Sequence, residues 1–187
     1  MRRESVASPQ PLGTAITWTV TATDTNPGPL TFQFNSAYGQ QAFSLARDFN
    51  VGTLASGMWT SQPFVWTAIS SEGSYQFQAI AKDFTSGETA TGTASFRLKP
   101  LVTGGQAAVN QTANPLVALV SAPSCAAGSH MRVSFAASGG NPNYTNWNPC
   151  RPPASMNLYV AGMLASTTYS MNYQVGTGGT ITNGPPL

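Results

Sequence analysis

For proton or group transfer, this chain of 187 residues offers one histidine, His130, two cysteines, Cys125 and Cys150, and six carboxylates. General acid–base and nucleophilic catalysis need such groups gathered at hydrogen-bonding distance. Asp, Glu, Lys and Arg together make up only 7% of the sequence. His130 stands in Gly128-Ser129-His130-Met131, with no second His to share a metal and no Ser-His-Asp arrangement around it. It reads as an exposed turn histidine ahead of a strand rather than a general base or ligand. The sequence offers no catalytic residue, no metal site and no cofactor motif, and it points to a non-catalytic role.

The remaining candidates have bland readings beside the functional ones. Cys125 and Cys150 are 25 positions apart. Two Cys and one His are too few ligands for a structural zinc site. In an exported chain the pair reads as a disulfide, and otherwise as two buried free thiols. Asp24, Asn26, Asp83 and Glu88 lie near expected strand ends, where some tandem β-repeats bind calcium. A hard cation wants about six to eight oxygens, and residues 99–106 contain no acid, so Asp24 and Asp83 read as turn caps. Trp18 shares a face with Ile16 and Val20 and belongs to a core, and Trp66 reads as core or interface. Trp59 and Trp147 sit among loop-forming residues and are the candidates for stacking on a sugar ring, against packing on a loop or neighbouring domain. Asn110-Gln111-Thr112 and Asn143-Tyr144-Thr145 fit the glycosylation acceptor pattern, which matters only in a eukaryotic secretory pathway.

The elements that would position these residues are strands. Ile16, Trp18, Val20 and Ala22 alternate with four threonines, the pattern of a half-buried strand. Asp24 to Pro29 is a turn cluster. Leu30, Phe32 and Phe34 then alternate, as do Phe43, Leu45, Arg47 and Phe49, which reads as an apolar face carrying one arginine. Residues 50–62 read as a short strand and a loop, and Phe64 to Thr67 as a strand. Tyr75, Phe77, Ala79 and Ala81, then Ala90, Gly92, Ala94, Phe96 and Leu98, complete about seven strands in roughly ninety residues. That count and spacing predict an immunoglobulin-like sandwich over 14–99, without the Cys–Trp–Cys pattern of antibody domains. Residues 1–13 read as a flexible lead-in and 100–113 as a linker. Alternation at Met131, Val133 and Phe135, at Met156, Leu158 and Val160, and from Tyr169 to Val175 predicts a second sandwich over 114–187. The fold expected is all-β: two tandem antiparallel β-sandwiches.

A net charge of +2 without basic clusters gives no footprint for nucleic acid. No apolar run reaches the roughly twenty residues of a membrane span. Low charge with abundant Thr, Ser, Gly and Asn suits an extracytoplasmic bacterial module. The N-terminus is not an intact secretory signal, so the expectation is a piece of a longer exported protein, with its second sandwich truncated. The expected partners are a neighbouring domain of that protein and a glycan or envelope protein.

Two resemblances sharpen this. Gly162-Met163-Leu164-Ala165-Ser166-Thr167-Thr168-Tyr169 is similar to the fibronectin type III signature, with Ala165 in place of the usual Pro. It implies a tyrosine corner, in which the Tyr169 hydroxyl ties back to nearby backbone. Ile16 to Leu30, Arg47 to Leu54, Ala81 to Thr89 and Asn114 to Cys125 together resemble the N-terminal region of bacterial arylsulfotransferase-like proteins. That resemblance, from about 14 to 183, implies a parent enzyme with a following catalytic β-propeller. It assigns no catalytic residue to this chain, since His130 does not match the position that accepts the sulfuryl group.

Overall fold

The computed structural model describes residues 2–26, 28–68, 71–112 and 114–187, with side chains from residue 4 onward. Met1 of the expected lead-in, Pro27 of the first expected turn and Ala113 of the expected linker lie outside them. The chain folds as two compact units, one of Met1–Ala68 with Gly73–Lys99 and a second of Ile69–Glu72 with Pro100–Leu187. Among the described residues, the regular elements are all strands.

Unit 1 is built from ten strands. They are β1 (Arg2–Glu4), β2 (Gln10–Pro11), β3 (Ile16–Ala22), β4 (Leu30–Tyr38), β5 (Ser44–Val51), β6 (Thr53–Ala55), β7 (Met58–Thr60), β8 (Phe64–Trp66), β9 (Gly73–Asp83) and β10 (Thr89–Lys99). One sheet runs β1-β3-β7-β6, with β8 also on β3, and the other runs β2-β10-β9-β4-β5. The alternation of β3 sends Ile16 and Trp18 inward, and Phe34, Phe77 and Phe96 of the opposite sheet are buried as well. Trp18 packs on Phe77 with ring centroids 4.3 Å apart and meets Phe96 edge-on at 5.8 Å. Each fully buried side chain of this size contributes about 1.5–3 kcal/mol relative to exposure.

Three expectations are corrected here. The expected lead-in is taken up in paired strands: β1 pairs antiparallel with β3, β2 pairs parallel with β10, and Leu12 is buried at 3% exposure. The N-terminal segment thus joins both sheets, held by backbone pairing that its sequence pattern does not advertise. The row on β5 is not an apolar inner face. Register shifts opposite Phe32, Phe34 and Asn35 break its alternation, and Leu45, Phe49 and Val51 are exposed on this edge strand. Arg47 reaches the carbonyls of Gln62 and Pro63, at 3.3 and 2.7 Å. Residues 50–62 hold two short strands, β6 and β7, around a turn at Ser56 and Gly57.

Unit 2 has eight strands. They are β11 (Ala108–Gln111), β12 (Val117–Ala122), β13 (His130–Ala137), β14 (Asn143–Tyr144), β15 (Asn148–Pro149), β16 (Met156–Ala161), β17 (Tyr169–Thr177) and β18 (Thr180–Pro186). One sheet is β11-β12-β16 and the other β14-β13-β17-β18, with β15 also on β13. β11 falls inside the expected linker and corrects it: polar Asn110 and Gln111 pair with Leu119 and Ala118, so the sandwich begins earlier. Val120, Val133 and Val160 fill the core with Met131, Leu158 and Phe135. The Glu72 carboxylate belongs to this unit and accepts from the Ser155 backbone N–H and hydroxyl at 2.6 and 2.8 Å. The chain is two tandem β-sandwiches. Among the described residues, all the strand pairs are antiparallel except β2 with β10.

Candidate functional site

Cys125 and Cys150 form a disulfide with Cα atoms 5.5 Å apart. Cys125 leaves β12 toward β13, and Cys150 follows β15, so the bond encloses β13, β14 and β15 in one covalent loop. Cys150 is buried in the core cluster, and its N–H donates to the Ser129 carbonyl at 2.9 Å. A disulfide is compatible with an oxidising, extracellular setting. The Tyr169 hydroxyl accepts the Leu164 N–H at 2.9 Å, and the ring packs on Phe135 with centroids 6.1 Å apart.

The acidic residues near the strand ends of unit 1 serve two turns, Asp83 and Glu88 in the β9–β10 hairpin and Asp24 between β3 and β4. Asp83 is only 3% exposed. Its Oδ1 accepts the N–H groups of Thr85 and Ser86 at 2.6 and 3.2 Å, and its Oδ2 accepts the Ser86 hydroxyl at 2.9 Å. The Thr85 N–H is the foremost cause holding this carboxyl below the usual carboxylate range, opposed by burial and helped by both Ser86 bonds. Asp24 accepts the Asn26 N–H at 3.0 Å, and the Asn26 amide donates to Glu88 at 3.3 Å. Asp24 and Asp83 are engaged as turn caps, and Glu88 is engaged by the Asn26 amide. Among the described residues, no three His, Cys, Asp or Glu side chains gather closely enough to hold a metal ion.

The two tryptophans proposed for stacking part company. Trp59 is half-buried against the cluster of Leu30, Phe32 and Ala81 in unit 1. Trp147 belongs to unit 2, is 37% exposed, and takes part in an assembly on the outer face of the β14-β13-β17-β18 sheet. The alternation that buries Met131, Val133 and Phe135 turns Arg132 outward between them. Its guanidinium carbon lies 4.0 Å from the Tyr144 ring centroid and 4.5 Å from that of Trp147. A cation sandwiched this way is attracted by both ring faces, by about 0.5–2 kcal/mol each. The Arg132 Nε–H donates to Gln174 Oε1 at 2.8 Å, and Gln174 Nε2 donates to Asn183 Oδ1 at 2.8 Å. Gly176 makes room for the second ring, since a Cβ there would come within 3.2 Å of Trp147.

This assembly fixes a guanidinium and leaves its outer edge available. Within the described residues, the hydrogen bond that orients Arg132 uses Nε alone, and the Nη donors have no protein partner. Tyr144 is 46% exposed, so the stack is open to solvent. Residues 100–187 contain no Asp or Glu at all, and Arg132 shares that stretch with one other cation, Arg151. Beside the stack, an open depression of about 600 Å³ is lined by His130, Trp147, Gly176 and Ile181. His130 opens β13 opposite Gly176 and is exposed. Sequence reasoning singled out Trp147 but missed Arg132, Tyr144 and Gln174. The readable signal was the complete lack of Asp and Glu after residue 99, which leaves an outward arginine with no acidic side chain in its own stretch of sequence.

No family model matches the sequence, and no curated protein matches it. Among solved structures, the chain is similar to one in a cytokine receptor complex, at 16% identity and a TM-score of 0.31, over 94% of this chain and 89% of that one. It is also similar to the chicken interferon gamma receptor alpha chain, at 11% identity and a TM-score of 0.34, over 99% and 94% of the two chains. At such scores neither likeness bears on function.

Proposed function

We propose that this chain is a non-catalytic interaction module of an exported protein, and that unit 2 presents its recognition face to a carboxylate-bearing partner such as an acidic glycan. The observation that carries this reading is Arg132 clamped between Tyr144 and Trp147 with its Nη edge unused. A guanidinium edge matches a carboxylate with two parallel hydrogen bonds. Because the rings and Gln174 already hold it, binding immobilises little additional side chain. The exposed rings beside it offer apolar faces to a sugar, and residues 100–187 hold no Asp or Glu side chain to compete for the arginine.

The test is titration with polygalacturonate, with neutral dextran as control, followed by tryptophan fluorescence and calorimetry. Polygalacturonate is expected to bind in a salt-sensitive manner and dextran not at all. Arg132→Gln is expected to abolish binding, and Arg132→Lys to weaken it because an ammonium cannot reproduce the two-pronged geometry. Binding of polygalacturonate that Arg132→Gln leaves unchanged, or no binding by the intact chain, overturns this assignment of the face.

A further inference from the structure

We infer that unit 1 contains a binding site for a small apolar molecule carrying one hydrogen-bond acceptor, in a cavity between its two sheets floored by Trp18. The cavity has a volume of about 330 Å³. That is roughly twice the volume of an apolar protein cavity that takes up benzene, and it lies within the range of ligand pockets.

Its origin is a run of small side chains on the inward row of the β9–β10 hairpin. Gly92 pairs with Ala79 and Ala90 with Ala81, directly beyond Ala94 opposite Phe77. Phe96 and Leu98, farther along the same row, are fully buried and fill the sandwich. Where the row shrinks to Ala90 and Gly92, the two sheets are no longer bridged. A Cβ built on Gly92 meets nothing within 4 Å. Burial is graded along the cavity, from exposed Ala90 and Gly92 at its mouth to buried Phe77, Ala94 and Trp18 within.

The second observation concerns polarity. Trp18 is 3% exposed and lines the cavity. Its Nε1–H is buried and has no hydrogen-bond partner among the described residues. Buried indole N–H groups usually find an acceptor. The lining is mainly apolar, with Val20, Phe34, Phe77 and the alanines outnumbering Thr21, Gln78, Thr91 and Thr93, so a ligand that matches it is mainly apolar with an oxygen placed for Trp18. A two-ring aromatic ketone meets both demands. An extended peptide laid along β10 would pair with backbone at the mouth and would leave this donor unmet.

The probe chosen is 1-acetonaphthone, compared with 1-ethylnaphthalene, which has a similar shape and no carbonyl. The readout is the set of four indole N–H signals in a nitrogen-15 spectrum of the full chain, with Trp18 assigned by elimination through Trp59→Phe, Trp66→Phe and Trp147→Phe. The ketone is expected to move the Trp18 indole signal downfield and to bind about tenfold more tightly than the hydrocarbon. Gly92→Leu, which fills the cavity at a backbone position with negative φ, is expected to remove binding of both. Ala90→Phe, at the mouth, provides a second block should Gly92→Leu disturb folding. Equal affinity for the two probes, or ketone binding that survives both blocking variants, overturns the proposal. So does a response confined to the backbone amides of residues 89–97, which would mark edge pairing instead.

Discussion

Removing the disulfide by the double substitution Cys125→Ala/Cys150→Ala should destabilise unit 2 and leave unit 1 untouched. The bond closes a loop across a sequence separation of 25 residues. In the chain-entropy model, opening a loop of that length gives the unfolded chain freedom equivalent to about 3.5 kcal/mol at 25 °C. The geometry concentrates the effect, because the loop encloses β13, whose Val133 sits at the centre of the core with Val120 and Val160. Native-state hydrogen exchange measures this unit by unit. The slowest amides of β12, β13 and β16 should exchange roughly 300- to 400-fold faster, at 1.36 kcal/mol per tenfold. The amides of β4 and β9 should keep their rates, since unit 1 has no cysteine. A loss of protection of less than tenfold in unit 2, or an equal loss in unit 1, refutes the reasoning.

Other outcomes follow from single contacts. Tyr169→Phe removes the acceptor of the Leu164 N–H and should cost about 1 kcal/mol, seen as a fall of about 4–8 °C in the thermal midpoint of unit 2. Gly52→Ala would set a Cβ 2.6 Å from the Phe32 ring and 2.9 Å from the Thr60 carbonyl, and should cost about 1–3 kcal/mol in urea denaturation. Asp83 has a folded pKa below its unfolded value, so its stabilisation is complete above about pH 3.9 and is lost as pH falls through the lower folded value. Thermal melts from pH 6 to pH 2 should show that loss, and Asp83→Asn should flatten it while lowering stability at pH 6.

Where an element owes its existence to a repeated apolar spacing, the sequence announces it. Ile16 and Trp18 point inward because alternate residues of a strand share a face, and the threonines between them take the other face. The same logic separates Met131, Val133 and Phe135 from outward Arg132. It fails where pairing, rather than burial, makes the strand. Arg2–Glu4 and Gln10–Pro11 have no alternation and are strands because β3 and β10 offer backbone partners. It fails on β5 as well, where bulges change which way successive residues face and the sheet ends. The Arg132 stack depends on bringing Tyr144, three-dimensionally next to Ser134, and Trp147 over neighbouring strands, a register no spacing rule supplies. The cavity at Trp18 is hidden for another reason: Ala79, Ala81, Ala90 and Gly92 alternate as core residues do, and only the separation of the sheets shows that they do not fill it.

The way the first strands of unit 1 are shared out has a practical corollary. Since β1 lies along one sheet and β2 along the other, a protease cutting between Glu4 and Gln10 would unzip a seam rather than trim a tail. A clone restarted at Thr14, where the regular alternation begins, would expose the margins of β3 and β10 to whatever strand came near, and clumping would be its characteristic failure.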